Sequence, residues 1–106
     1  MSRIVRRHRL VYRDVIDLAD RMSLDSFPTA LRFFDQVQTT LAGLLETPGK
    51  GSPKHFTLPS LRDVRSWPAE GFPRHLIFYR PADYGIYVLA IMHGARDLPA
   101  ALEGRG

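Results

Sequence analysis

Hydrophobic positions change their spacing several times along these 106 residues, and each change predicts an element. Residues 3 to 8 alternate loosely, so Ile4 and Val5 suggest a short first strand whose other positions face water. From Leu10 the period becomes helical. Val11, Val15, Leu18 and Met22 recur at that spacing, with Arg13, Asp14, Asp17, Asp20 and Arg21 between them. Asp25 or Ser26 can cap a second helix, in which Pro28 falls in the first turn, where a missing amide hydrogen costs nothing. Its expected apolar stripe is Ala30, Phe34, Val37, Leu41, Leu44 and Leu45, and Thr47, Pro48 and Gly49 stop it. The two helices are expected to form a hairpin.

The stretch from Pro48 to Pro59 is dense in Gly, Pro, Ser and Lys and reads as a surface loop without regular structure. Three extended runs follow, Leu61 to Trp67, His75 to Arg80 and Tyr84 to His93, and they predict an antiparallel meander. The last run is apolar at both parities, as a central strand covered on both faces would be. The hairpin supplies one cover, and the end of the chain or a partner supplies the other. Asp97 can cap a short final helix through Leu102. The predicted class is α+β, one domain over residues 1–106: an N-terminal strand and helical hairpin packed on a three-stranded antiparallel meander, then a short helix.

Composition supports a packed globule, with 44% hydrophobic and 10% aromatic residues. Cysteine is absent, which excludes disulfides and thiolate metal clusters. No apolar run is long enough to span a bilayer, so a cytoplasmic protein without a membrane role is expected. Formal charge is +4, and Lys50 and Lys54 are the only lysines beside an excess of arginine. Arg3, Arg6, Arg7, Arg9 and Arg13 all precede the first acid, Asp14. Such a field attracts phosphate or an acidic segment, yet arginines on an edge strand also simply prevent edge-to-edge pairing.

Several stretches resemble the RelE/ParE toxin superfamily, and its ParE branch most. Val64-Arg65-Ser66-Trp67-Pro68 is similar to the family's Leu-Arg-Ser-Phe-Pro, and His75-Leu-Ile-Phe-Tyr-Arg80 to its Tyr-Leu-Ile-Phe-Tyr-Arg. Ala30-Leu-Arg-Phe-Phe matches a second-helix motif, and His93-Gly-Ala-Arg-Asp-Leu-Pro-Ala-Ala-Leu102 resembles the ParE-type ending. The resemblance implies the toxin of a type II toxin-antitoxin pair, bound by a ParD-like antitoxin in a hetero-oligomer. It further implies inhibition of DNA gyrase, or, on the RelE side, ribosome-dependent cleavage of messenger RNA, or else a non-toxic relative that only binds the antitoxin.

RNA cleavage needs a base for the 2′-hydroxyl, cations for the phosphate and an acid for the leaving oxygen. The candidates are His75, Arg80, His93 and Arg96, but the stretch after Arg96 offers no late tyrosine or histidine, and both lysines fall in the loop. The simpler reading makes His93 a half-buried rim residue and Arg96 with Asp97 a turn organiser. For contact with antitoxin or target the candidates are Arg65, Arg74, Arg80 and Arg96, with Leu98 and Leu102 of the ending. Arg62, Arg65, Arg74 and Arg80 could also contact nucleic acid, with Trp67, Tyr79, Tyr84 or Tyr87 for stacking, although period-2 placement makes these aromatics core. The four histidines are scattered, so no metal site and no cofactor are expected.

Overall fold

The computed structural model describes residues 2–94 and 97–106. Strand β1 (Ile4–Arg7) leads into helices α1 (Val11–Asp25) and α2 (Phe27–Glu46). Strands β2 (Ser52–Pro53), β3 (Arg65–Ala69), β4 (Phe72–Ala82) and β5 (Gly85–His93) follow, and helix α3 (Leu98–Leu102) comes last. The expected α+β architecture is present, but the sheet has five strands in the order β1-β5-β4-β3-β2. The meander β3-β4-β5 is its centre. β1 adds in parallel along one edge, pairing Ile4 with Gly85 and Arg7 with Val88, and β2 adds antiparallel along the other.

Both helix starts follow from local chemistry. Ser26 rather than Asp25 caps α2, its hydroxyl accepting from the Thr29 amide at 3.3 Å, and Pro28 lies in the first turn. α1 has no side-chain cap at Leu10, whose amide instead meets His8 Nδ1 at 3.2 Å. On α1 the stripe of Val11, Val15 and Ala19 faces the sheet, with Leu18 and Met22 packed beside it. On α2 the expected stripe is corrected at one position: Phe33 is wholly buried and Phe34 is exposed. Both residues are apolar and adjacent, so spacing alone could not choose. The choice follows from phase, since Phe33 shares the arc of Ala30, Val37 and Leu44.

Other sequence expectations also change. The span from Pro48 to Pro59 is not structureless, because it holds a 3-10 turn at Pro48–Lys50 and the two residues of β2. Another 3-10 turn, Pro59–Leu61, places Leu61 in the core, so the first extended run starts at Arg65 and not at Leu61. Asp97 occupies the cap position of α3, but its side chain makes no cap bond.

β5 is buried on both faces, as its composition suggested. Ile86, Val88 and Ile91 join Ile77, Tyr79 and the helices in one core, whereas Leu89, Ala90 and Met92 join Phe78, Leu61, Val64 and Leu102 in a second. A bulge explains the break in alternation: Phe78 pairs with Ala90 and Tyr79 with Val88, so Leu89 is the extra residue. Among the described residues, the second face is covered by this chain's own α3 and by the segment around Leu61. Gly85 lets β1 close on β5. Its φ of +143° suits glycine, and any Cβ there would strike the Ile4 carbonyl.

Candidate functional site

Three places bring together side chains whose chemistry bears on function or on the fold that holds it. The first is the outer side of the hairpin. Phe27, Leu31 and Phe34 recur at i, i+4 and i+7, so they share one face of α2, and they are 64%, 51% and 39% exposed. Leu24, 86% exposed, lies in the last turn of α1 three residues before Phe27. α2 is thus apolar over a wider arc than its own core uses. The helix hides one stripe and leaves a second, narrower one in water.

The second place is the sheet rim where β4 and β5 pair His75 with His93. Their rings stand edge to face with centroids 5.4 Å apart, and His75 also abuts Phe33 at 5.5 Å and Phe72 at 6.2 Å. Burial, and secondarily the proximity of His93, hold the His75 pKa below its ordinary value. His93 also lines a cleft of about 400 Å³ shared with Asp14, Asp17 and Arg21 of α1. Among the described residues no group of three potential metal ligands converges.

The four residues named for RNA cleavage do not assemble here. Arg80 lies five residues along β4 from His75, roughly 16 Å away. Its guanidinium is engaged elsewhere, with Nε donating to the Arg62 carbonyl at 3.1 Å and Nη2 to the Ser60 carbonyl at 2.6 Å. Arg96 lies outside the described residues. Only the histidine pair is brought together.

The residues proposed for partner contact also separate. Arg74 is exposed at the start of β4. Arg65 is half-buried and donates through Nη1 to the carbonyls of Gly49 at 3.2 Å and Gly51 at 2.8 Å. Leu98 packs partly into the second core and Leu102 is wholly buried there, because the ending folds back over the sheet.

The third place, where α1 meets β5, was invisible in the sequence. Asp14 and Arg105 form a bidentate pair, Nη1 to Oδ2 at 2.5 Å and Nη2 to Oδ1 at 3.0 Å, with both side chains 13% exposed. Asp14 Oδ2 also accepts the Ile91 amide at 3.1 Å, and Arg105 Nη1 donates to the Leu89 carbonyl at 3.2 Å. The pair thereby satisfies the backbone groups that the β5 bulge strands beyond the reach of β1. No local signal could join residues so distant in sequence.

The fold defines the class, a small two-layer α+β domain with an outward apolar stripe on its hairpin and an arginine-rich sheet edge. The comparisons narrow the class. The family model described as the ParE toxin of type II toxin-antitoxin system, parDE, matches residues 5–98, and the chain belongs to that family, within the RelE/ParE superfamily. A chain in the solved structure of the chromosomal ParDE TA system from P. aeruginosa superposes with a TM-score of 0.68 at 17% identity, covering 86% of this chain and 95% of that one. No curated protein matches the sequence. The protein is a ParE-type toxin by family, and no helix among its described residues is long and apolar enough to cross a membrane.

Proposed function

We propose that this toxin acts in the cytoplasm by inhibiting DNA gyrase without catalysing a reaction, and that a ParD-like antitoxin encoded alongside it holds it in an inactive hetero-oligomer. The observation that carries the antitoxin half is the second apolar stripe of α2, Phe27, Leu31 and Phe34 with Leu24 beside it. An amphipathic segment that is disordered when free fits such a stripe, and folding on contact makes the inhibition reversible. The gyrase half rests on membership of the ParE branch. It is favoured over messenger cleavage by the separation of Arg80 from the histidine pair and by the burial of His75 among aromatic rings.

Purified toxin should stop gyrase supercoiling of relaxed plasmid, equimolar antitoxin should restore it, and ribosome-bound message should stay intact. Cleaved message with unaffected supercoiling would instead assign the protein to the nuclease branch.

A further inference from the structure

The sheet rim that joins His75 to His93 has a geometry that the proposed function leaves unused. Arg74 and Gly94 make the next cross-strand pair, with the Gly94 amide donating to the Arg74 carbonyl at 2.9 Å, so His75 and His93 form a non-hydrogen-bonded pair. Side chains at such positions leave the sheet on one face with Cβ atoms about 4.5–5.5 Å apart. Ile77 and Ile91, two residues inward on each strand, belong to the core under the helices, so both imidazoles lie on the helical side.

The separation of the rings suits one shared ion. A metal bonded at about 2.0–2.1 Å to one nitrogen of each ring, with the two bonds near the tetrahedral angle, places the ring centres roughly 5 Å apart. They stand 5.4 Å apart here. The planes are crossed at 80° rather than stacked, and the χ2 torsion of histidine is soft, so a modest rotation turns a nitrogen of each ring toward one point. Burial, and then His93, hold the His75 pKa below its ordinary value, which keeps a lone pair on that ring at neutral pH.

The surroundings grade from apolar to polar across the pair. Phe33 and Phe72 close one side of His75, whereas His93 opens on the cleft of about 400 Å³ that Asp17 and Arg21 of α1 also line. Asp14, in the same cleft, is engaged by Arg105. No third ligand converges among the described residues, so solvent in that cleft completes the sphere. Imidazoles suit zinc, nickel or copper, whereas magnesium and calcium prefer oxygen ligands. Sequence spacing could not reveal the pair, since the turn between β4 and β5 brings the two residues together.

We propose that His75 and His93 form a two-imidazole site for a divalent transition-metal ion, zinc, nickel or copper, at the β4–β5 rim. The bound ion cross-links the two strands at the residue where the chain leaves the sheet toward α3, and by mass action it stabilises the folded protein. The site uses neither the hairpin stripe nor the gyrase reading, so it stands or falls independently of both.

Tag-free protein stripped with chelator should bind a single Zn²⁺ or Ni²⁺ per chain in calorimetry, and Mg²⁺ should give no binding heat. The Cu²⁺ complex of the parent should show two nitrogen ligands by electron paramagnetic resonance, a reading that needs no variant to fold. His75→Phe, which keeps the ring contacts, and His93→Gln should each bind at least about tenfold more weakly, since losing even an outer-shell partner costs that much. His8→Gln and His55→Gln should bind like the parent. Melting with and without zinc separates binding from folding: zinc should raise the melting temperature of the parent and leave that of both rim variants where it was. The proposal is overturned if binding does not saturate at one ion, if the copper spectrum of the parent lacks a second nitrogen, if both rim variants bind zinc like the parent, or if Mg²⁺ competes as well as Zn²⁺.

Discussion

His75 is a titratable ring packed as though it were a phenylalanine. It meets Phe33, Phe72 and His93 edge to face, and no hydrogen bond to it is present among the described residues. Because burial and His93 depress its folded pKa below the unfolded 6.5, the unfolded chain binds more protons as pH falls through this range. The contribution is fully present above the unfolded pKa and is lost as pH drops toward and below the folded one. His8 is shifted the same way, by burial and then by Arg105 and Arg9, and adds to the slope. Melting temperature should therefore decline from pH 7.5 to 5, and His75→Phe should keep the ring contacts while flattening that decline. An unchanged pH profile in His75→Phe would show that this ring does not titrate with folding. The sequence marked His75 as a candidate base, but nothing in it showed that two phenylalanines would surround the ring, because one of them comes from α2.

Elements were legible where the pattern was long and local. α1 and α2 were readable within a residue or two at their ends, since each holds several turns of one apolar period and α2 starts at a Ser-x-Pro cap. β2 was not, because a two-residue strand has no period, and the parallel pairing of β1 was not, because register with β5 is set by contacts across most of the chain. The Phe33/Phe34 ambiguity resolved only through the sheet, and it matters: the residue turned outward became part of the exposed stripe. The β5 bulge lies beyond sequence patterns for the same reason, and its repair by Asp14 and Arg105 can be tested. Arg105→Ala would leave a mostly buried carboxylate with the Ile91 amide alone and free the Leu89 carbonyl, which should cost about 2–3 kcal/mol. Urea denaturation should show the lower midpoint at unchanged m-value, and Arg105→Lys should recover only part of it, since an ammonium lacks the two-pronged geometry.

For the whole molecule, acidic and basic groups are largely kept apart. Only one ion pair forms among the described residues, although the sequence holds fifteen Lys and Arg and eleven Asp and Glu. Four of those acids lie on α1, whereas β1 and its flanks are arginine-rich. The hairpin stripe is where the partner reading is most exposed to test. Leu31→Asp places a charge in its middle without touching either core, so the free toxin should keep its melting temperature while affinity for the antitoxin falls at least about tenfold, measured by calorimetry. Equal affinity in parent and variant would move the interface elsewhere on the surface. The candidate site was legible only in part: the family ending and the charge balance pointed to a partner, whereas the stripe needed the fold to bring its residues to one side.

The parallel pairing of β1 with β5 also sets an order of events in time. Ile4 leaves the ribosome early, yet its partner Gly85 is added on the order of ten seconds later at ~5–20 residues per second. Until then the arginine-rich leader has no sheet to join and the first core lacks an edge. A nascent copy therefore lacks a complete sheet through most of its own translation.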